Sequence, residues 1–334
     1  MHSIILTTER KDAIALQRML LSVSDSFKDV LPCVKEDLLS GEGRFKEVQF
    51  IFSTWYMPQL SMAEIKEYLP SLKAVFYAAG TVKYFAEPFL KSGVRVFSAA
   101  KANGTAVAEF VAAQILLANK GYFQAQKAYK SVLWRLAFQR ARRFSEKRKG
   151  NYGARIGLIG CGSVGEEVVR LLKPYRLEIL VYDPYIPEEK CQALGVANVG
   201  LEYLFENCDV VSNHLPDIPS TKGLIDYDLL NRMRDYSTFI NTGRGAQVVE
   251  ADLARLLRRR PSICALLDVS QHEPPFPWSP LLRRRNLFLS PHIAGSLGNE
   301  SLRMIEFITC AYEDYCAGRE PKGEIDLGML DVMA

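Results

Sequence analysis

One segment of the 334-residue chain sets its architecture: Arg155-Ile156-Gly157-Leu158-Ile159-Gly160-Cys161-Gly162-Ser163-Val164-Gly165. An apolar strand leads into a Gly-x-Gly-x-x-Gly turn, and a helix is predicted to open at Ser163. The first glycine permits a tight turn, the second lets a pyrophosphate approach the backbone, and the third lets helix and strand pack closely. The positive end of the helix favours the phosphates. The segment therefore predicts a dinucleotide-binding domain whose cofactor contacts include Gly160, Gly162, Ser163, Val164 and Gly165.

A second apolar strand follows and ends at Asp183, in Val181-Tyr182-Asp183. A carboxylate at this place suits the two hydroxyls of an unphosphorylated ribose and repels a 2′-phosphate, so NAD rather than NADP is the predicted cofactor. A glycine triplet by itself also fits a strand-to-helix turn without a ligand. The strand, the helix and the acid together favour dinucleotide binding.

The bulk composition is that of a soluble globular protein with room for two domains, at 48% hydrophobic and 24% charged residues. The formal net charge is +4, and basic clusters occur at residues 140–149, 258–260 and 283–285. Each cluster ends a predicted helix or fills a loop, where cations suit the helix dipole. We therefore interpret these clusters as solvated faces and predict no nucleic-acid partner.

The seven cysteines form no Cys-x-x-Cys pair and have no histidines at metal-ligand spacing. A reduced, intracellular protein without a metal site is the simplest interpretation. The first residues lack the charged start and long apolar run of a signal peptide, and no apolar segment approaches the length of a membrane span. We therefore expect a cytoplasmic protein with no membrane partner.

Apolar runs alternate with helix-like stretches along the chain, which predicts an α/β protein with parallel sheets. Predicted strands in the first part lie at residues 4–6, 48–52, 72–77 and 94–97. A long helix is predicted from Thr105, and six further strands follow at residues 156–159, 179–182, 210–213, 238–241, 264–269 and 287–289. A last helix over 298–315 is expected to return to the first domain. The predicted domains are 1–104 plus 297–334 and, between them, the dinucleotide-binding domain 105–296.

Three strands of the second domain are followed by side chains suited to carbonyl chemistry, and open α/β sheets bind ligands at the carboxyl ends of their strands. Hydride transfer to a carbonyl requires a proton donor, and histidine titrates near neutral pH. His292 is the candidate donor, and Glu273 the carboxylate that would orient it and favour its protonated form. Arg244, between two glycines, presents a planar fork to a substrate carboxylate.

Each of these residues also has a structural explanation. Arg244 suits a helix cap or a surface ion pair, Glu273 a solvated proline-rich loop, and His292 the role of a hydrogen-bonded structural histidine. His214, directly after the strand at 210–213, is kept as a rival proton donor.

Taken together, the motifs resemble those of the D-isomer-specific 2-hydroxyacid dehydrogenase family over nearly the whole chain. Besides the glycine turn and Asp183, they are His214-Leu215-Pro216, Asn241-Thr242-Gly243-Arg244-Gly245, Leu267-Asp268-Val269 before Glu273-Pro274, and Pro291-His292-Ile293-Ala294-Gly295. The resemblance implies a Rossmann NAD domain inserted into a flavodoxin-like substrate domain. It implies that Arg244 binds and polarises the 2-oxo acid, that His292 is the acid/base supported by Glu273, and that Asp268 contacts the nicotinamide carboxamide. The predicted cofactor contacts further include His214, Thr242 and Gly243.

By the same resemblance, backbone amides near Gly80 and Thr81 cradle the substrate carboxylate and Asn103 lies at the cleft. The sequence departs from the family's usual pattern at Thr81 and Lys83, where relatives often have a glycine-rich turn ending in an acid, and at Phe110, where a histidine is common. The family also forms dimers through the NAD domain, so a homodimer is expected.

The segment Ser53-Thr54-Trp55-Tyr56-Met57-Pro58 replaces the arginines that relatives acting on 3-phosphoglycerate tend to have. An uncharged, aromatic loop cannot offset phosphate charge, so we predict an unphosphorylated 2-oxo acid, with Trp55 as a substrate contact. Burial of Trp55 and Tyr56 as packing residues is the alternative. Other open functions are a phosphoglycerate-type dehydrogenase, a formate dehydrogenase, and an NAD(H)-sensing protein of the same fold without turnover. Glu273, where formate dehydrogenases have glutamine, counts against the second of these.

Overall fold

Strands and helices alternate along the chain in the computed structural model, which describes residues 2–41, 43–130 and 134–331. The chain divides into two compact units. One consists of residues up to Gly104 together with those from Ser296 onward, and the other is Thr105–Gly295. The first of these boundaries falls inside a single long helix.

The strands are Ser3–Thr7 (β1), Leu31–Val34 (β2), Phe50–Ser53 (β3), Ala74–Tyr77 (β4), Arg95–Ser98 (β5), Tyr152–Ile159 (β6), Arg176–Tyr182 (β7), Ala197–Asn198 (β8), Val210–Asn213 (β9), Thr238–Asn241 (β10), Cys264–Leu267 (β11), Leu287–Leu289 (β12) and Glu324–Ile325 (β13).

The helices are Arg10–Val23 (α1), Lys35–Ser40 (α2), Met62–Tyr68 (α3), Ala86–Lys91 (α4), Ala100–Asn119 (α5), Tyr122–Tyr129 (α6), Trp134–Glu146 (α7), Ser163–Leu172 (α8), Glu188–Leu194 (α9), Leu201–Asn207 (α10), Tyr227–Asn231 (α11), Glu250–Arg259 (α12), Glu300–Cys316 (α13) and Leu327–Leu330 (α14). None of the described helices is both long and apolar enough to cross a membrane.

The first unit contains a sheet of order β13-β5-β4-β3-β1-β2, parallel except for β13. The five parallel strands have the flavodoxin-like order, in which β1 lies between β2 and β3. Every residue of β3 and β4 is buried, because helices cover both faces of a parallel sheet. α1 and α13 pack on one face around Phe52 and Phe76. This arrangement brings the carboxyl ends of β3, β4 and β5 side by side.

The second unit contains a fully parallel sheet of order β12-β11-β10-β9-β6-β7-β8. Counted from β6, this is the Rossmann order with one more strand at the β12 edge. The chain turns from β6 to β7 on one side and later to β9 on the other, so β6 and β9 border the switch point where such sheets bind ligands. The predicted fold class is confirmed, with both sheets doubly wound.

The start of the long helix and the number of strands differ from the predictions. The long helix begins at Ala100 rather than Thr105, because the Ser98 hydroxyl accepts the Ala100 N–H at 3.1 Å and the backbone bond from Asn103 to Ala99 continues the turn. The second unit has seven strands rather than six. The strand that was not predicted is β8, which pairs with β7 through only two residues. Such a short pairing leaves no hydrophobic pattern in the sequence.

Candidate active site

The glycine-rich turn has the geometry that a dinucleotide requires. Gly160 has φ +88°, a left-handed conformation that favours glycine, and a β-carbon there would lie 2.9 Å from the carbonyl oxygen of His214. A β-carbon on Gly165 would overlap the Gly160 carbonyl oxygen, whereas one on Gly162 would meet nothing within 4 Å. The space beside Gly162 and the N-terminus of α8 is therefore open to a phosphate, which the helix dipole attracts. The residues present fit NAD.

Asp183 follows β7 and is held in place by its surroundings. Its Oδ2 accepts the Cys161 N–H at 2.8 Å, and its Oδ1 accepts the Tyr185 N–H at 2.9 Å. The Asn198 side chain bonds both the N–H and the carbonyl of Asp183. Each carboxylate oxygen still has a lone pair for a ribose hydroxyl. Asn198 is a supporting residue that the sequence analysis missed.

His214 lies between the glycine turn and the loop after β10. Its Nδ1 is 3.4 Å from the Thr242 hydroxyl, and its Nε2 is inaccessible and has no hydrogen-bond partner among the described residues. Burial of the ring lowers the pKa of His214 to about 4. The imidazole is therefore neutral at neutral pH, which makes His214 a poor proton donor there.

The loops that carry Arg244, Glu273 and His292 follow three neighbouring strands, β10, β11 and β12. Gly245 packs directly on the next loop, where a β-carbon would overlap the backbone of Ser270 and Gln271. The Ser270 N–H in turn donates to Glu273 Oε1 at 3.2 Å. The structure thus joins the Arg244 loop to the Glu273 loop by backbone contact.

His292 and Glu273 form a hydrogen bond of 2.7 Å between imidazole Nδ1 and carboxylate Oε2. A carboxylate only accepts hydrogen bonds, so Nδ1 carries a hydrogen and Nε2 is the ring nitrogen left for another partner. The two side chains are 52% and 39% exposed, which leaves the pair accessible to a small molecule. The structure brings together the acid and the imidazole that the sequence analysis paired.

Asp268, directly after β11, supports the His292 loop. Its buried carboxylate accepts the Ser290 hydroxyl at 2.6 Å and the N–H groups of Ile293 and Ala294 at 3.0 and 2.8 Å. Its carbonyl accepts the N–H of His292, whose φ is +54°. Three donors on one buried carboxylate hold the loop in a conformation that non-glycine residues rarely adopt.

Arg244 is half-buried and its guanidinium Nη1 donates to the Gly243 carbonyl at 2.8 Å. Its backbone is held by buried side-chain amides: the N–H donates to Gln247 Oε1 at 3.0 Å, and the carbonyl accepts from Asn241 Nδ2 at 3.2 Å. Gln247 is a second residue that sequence reasoning missed.

In the other unit, the loop after β4 meets the first turn of α5 at the predicted carboxylate cradle. Gly80 and Thr81 are half-buried, and a β-carbon on Gly80 would lie 3.4 Å from Asn103 Nδ2. The Ser98 hydroxyl donates to the Gly80 carbonyl at 2.6 Å, and Asn103 Oδ1 accepts the Ser296 N–H at 2.9 Å. The structure therefore places Gly80 and Asn103 side by side.

Trp55 and Tyr56, in the loop after β3, are 44% and 54% exposed, so they are not buried packing residues. The Trp55 carbonyl accepts the Tyr84 hydroxyl at 3.1 Å, which fastens this loop to the one after β4. Next to Trp55 a mostly apolar cavity of about 130 Å³ lies between α1 and α13. Its lining includes Asp12, Met19, Ala78 and Met304.

Comparison with known proteins identifies the family of the chain. The sequence model for the "D-isomer specific 2-hydroxyacid dehydrogenase, NAD binding domain" matches residues 112–294. The chain is 30% identical over 285 residues to a glyoxylate reductase of Korarchaeum cryptofilum, an alignment that covers 85% of this chain and 83% of that protein. The chain belongs to the D-isomer specific 2-hydroxyacid dehydrogenase family, and the matched region is its NAD-binding domain.

Other relatives differ in length and in substrate. A D-3-phosphoglycerate dehydrogenase of Archaeoglobus fulgidus is 32% identical over 212 residues, which span 64% of this chain but only 39% of that protein. Among solved structures, D-mandelate dehydrogenase of Rhodotorula graminis superposes with a TM-score of 0.77 at 20% identity and covers 97% of each chain. A D-2-hydroxyisocaproate dehydrogenase gives 0.75, also at 20%, over 97% of this chain and 99% of the other. These structural likenesses show the fold.

Proposed function

We propose that the protein is an NAD-dependent dehydrogenase that interconverts a small unphosphorylated 2-oxo acid and its D-2-hydroxy acid. The observation that carries this proposal is the 2.7 Å hydrogen bond between His292 and Glu273. The loop that holds Glu273 is in backbone contact with the loop that holds Arg244. Both loops lie at the carboxyl edge of the sheet that matches the family's NAD-binding domain. When bound, the nicotinamide supplies or accepts the hydride.

In this proposal His292 holds the transferred proton at Nε2 and gives it to the carbonyl oxygen of the 2-oxo acid. Glu273 fixes the ring orientation by accepting the Nδ1 hydrogen. The Arg244 fork binds the substrate's oxygens and stabilises the negative charge that develops on the carbonyl oxygen. Asp268 keeps the His292 loop in place and is a candidate contact for the carboxamide. Because burial holds His214 neutral, His292 is the better proton donor of the two.

The substrate proposal rests on charge and on the cavity beside Trp55. Asp12 is a charged residue in the lining of the cavity and would repel a phosphate. The neighbouring Met19 and Met304 are apolar and adaptable. We therefore assign the cavity to an apolar substituent of the 2-oxo acid. Gly80 and Thr81, on the adjacent loop, are the proposed contacts for its carboxylate, with Asn103 beside them.

A panel of 2-oxo acids tests the proposal by NADH absorbance. Glyoxylate, pyruvate, 2-oxoisocaproate and phenylpyruvate should be reduced, and phosphohydroxypyruvate should be reduced least. Faster turnover of phosphohydroxypyruvate would establish the phosphoglycerate-type alternative. NADH that binds tightly but is never oxidised, by any member of the panel, would establish the NAD-sensing alternative.

A cavity-filling variant tests the assignment of the apolar substituent. Ala15 lines the cavity from an exposed position of α1, so Ala15→Leu should fill part of the space at little cost in folding. Turnover of 2-oxoisocaproate should fall, while glyoxylate turnover stays the same. Arg18→Leu, at another exposed position of α1, is the matched control. Equal effects of Ala15→Leu on both acids would remove the assignment.

We further propose a cytoplasmic homodimer. All seven cysteines are free, which is typical of a reducing compartment. A groove of about 400 Å³ between α6 and α7 includes Tyr129 and Phe138, which are 59% and 49% exposed. Exposed aromatic side chains around one groove favour an interface. Phe138→Glu should yield monomers in light scattering, whereas Tyr185→Glu, at an 83% exposed position elsewhere, should not.

A further inference from the structure

Three buried amide side chains form a cluster under the Arg244 loop. Asn213, Asn241 and Gln247 are each at most 1% exposed. Asn213 Nδ2 donates to Asn241 Oδ1 at 2.9 Å and to Gln247 Oε1 at 2.6 Å. Asn213 Oδ1 also accepts the Leu215 N–H at 3.3 Å. Burying three amides is favourable only when their hydrogen bonds are formed, so the cluster constrains whatever it touches.

Gln247 uses its whole hydrogen-bonding capacity in this cluster. Its Nε2 donates to the carbonyls of Leu215 and Pro216 at 2.9 and 2.8 Å. Its Oε1 accepts from Asn213 and from the Arg244 N–H. The orientation of the amide is fixed, since two carbonyls must face the NH₂ group and a backbone N–H must face the oxygen. One side chain therefore ties the Arg244 loop to the segment after β9.

The cluster also sets the backbone on both sides of the Arg244 side chain. The Gly243 N–H donates to Asn241 Oδ1 at 3.1 Å, while Gln247 and Asn241 hold the N–H and the carbonyl of Arg244. A β-carbon on Gly243 would come within 2.6 Å of Gln247 Oε1 and 2.9 Å of Asn213 Nδ2. The loop packs directly on the amides, so a shift of Gln247 moves the backbone of Arg244 and with it the guanidinium.

We propose that Gln247 is a positioning residue that aims the Arg244 guanidinium at the carboxylate and carbonyl of the 2-oxo acid. The inference rests on the function proposed above. A displacement of about 1 Å in such a group costs on the order of a hundredfold in rate, because the bidentate geometry of the fork is lost. Gln247 acts through Arg244 and does not itself touch the substrate.

Oxamate, an unreactive analogue of a 2-oxo acid, provides a readout that needs no turnover. Its Kd for the NADH-bound protein is measured by NADH fluorescence, alongside KM and kcat for the best acid of the panel. Gln247→Met keeps the shape of the side chain and removes its hydrogen bonds. We expect the oxamate Kd and KM to rise tenfold or more and kcat to fall, with a clearly smaller change in the Kd of NADH alone.

Asn286 offers a matched control for loss of a buried amide. It is 8% exposed and its Nδ2 donates to two carbonyls, those of Leu257 and Ile263, at the amino end of β12, opposite the edge that carries Arg244. Asn286→Leu and Gln247→Met should both lower the Tm, but Asn286→Leu should leave the oxamate Kd unchanged. If Gln247→Met does not fold, Gln247→Asn replaces it in the same measurements. This variant keeps the amide but is one methylene shorter, and the same changes are expected.

A double-mutant cycle completes the test. In an Arg244→Ala background, Gln247→Met should not weaken oxamate binding further, because the group that it aims is absent. Full additivity, or a Gln247→Met protein with lower Tm but unchanged oxamate Kd, would overturn the inference and leave the proposed function intact. A wild-type protein that binds oxamate without turning over any acid would overturn the enzyme proposal alone. No oxamate binding at all would overturn both.

Discussion

Protonation of His214 should lower the free energy of unfolding in mild acid, and this loss can be measured. Burial lowers the pKa of His214 from 6.5 to about 4 in the folded chain, so the unfolded chain takes up the proton first. The contribution of the neutral His214 ring to the free energy of unfolding is complete above pH 6.5 and is lost as the pH falls from 6.5 towards 4. At 1.36 kcal/mol for each pKa unit, the loss amounts to about 3 kcal/mol in all and about 2 kcal/mol by about pH 5.

Urea unfolding of wild type and His214→Asn, at about pH 7 and about pH 5, measures this contribution. The variant lacks the titrating group, so its free energy of unfolding should fall by about 2 kcal/mol less than that of wild type over this interval. His2→Asn, which removes an exposed histidine at the terminus, should behave like wild type.

Nuclear magnetic resonance gives a direct check, because the chain has only four histidines. The ring resonances of His214, assigned by their absence from His214→Asn, should not titrate until the pH approaches 4. A midpoint near 6.5, or equal acid sensitivity of wild type and His214→Asn, would refute the reasoning. It would also restore His214 as a rival proton donor.

Three substitutions test the proposed site. Arg244→Ala should raise KM for the 2-oxo acid, lower kcat, and reduce kcat/KM by about 10²- to 10³-fold, since it removes both binding and charge stabilisation; a change in KM alone would limit it to binding. His292→Ala should lower kcat by about 10²- to 10⁴-fold with the Kd of NADH unchanged, and near-normal turnover would mean that another group supplies the proton. Asp183→Ala removes the carboxylate proposed to bind the ribose hydroxyls, so steady-state kinetics with NADH and NADPH should show the preference for NADH falling about tenfold or more; an unchanged ratio would exclude that contact.

Sequence patterns were sufficient for most of the strands, among them those that precede the proposed site. The strands after which Arg244 and His292 follow were predicted with the observed bounds, at residues 238–241 and 287–289. Parallel strands align their carboxyl ends, so the proximity of the loops could be inferred from strand order. The short edge strands β2, β8 and β13 were missed, because their position depends on the neighbour they pair with.

The residues that support the site were harder to predict, because their roles exist only in three dimensions. Asn198 and Gln247 are ordinary polar residues in the sequence, and nothing in their spacing indicates a partner. Asn198 becomes significant because β8 lies next to β7, and Gln247 because two loops meet over it. The start of α5 was predicted late for a similar reason, since a hydroxyl from β5 caps a turn that contains Asn103 and Gly104.

The bare backbone of Gly245 against Ser270 and Gln271 has a consequence for engineering. The two loops of the proposed site share this contact and cannot be exchanged one at a time with those of a relative, because any side chain at this point drives them apart. The loops after β3 and β4 belong to a different unit of the chain and carry the proposed substrate contacts. New substrate preferences should therefore be sought by grafting the loops after β3 and β4. Residues 244–273 should be either kept or replaced as one segment.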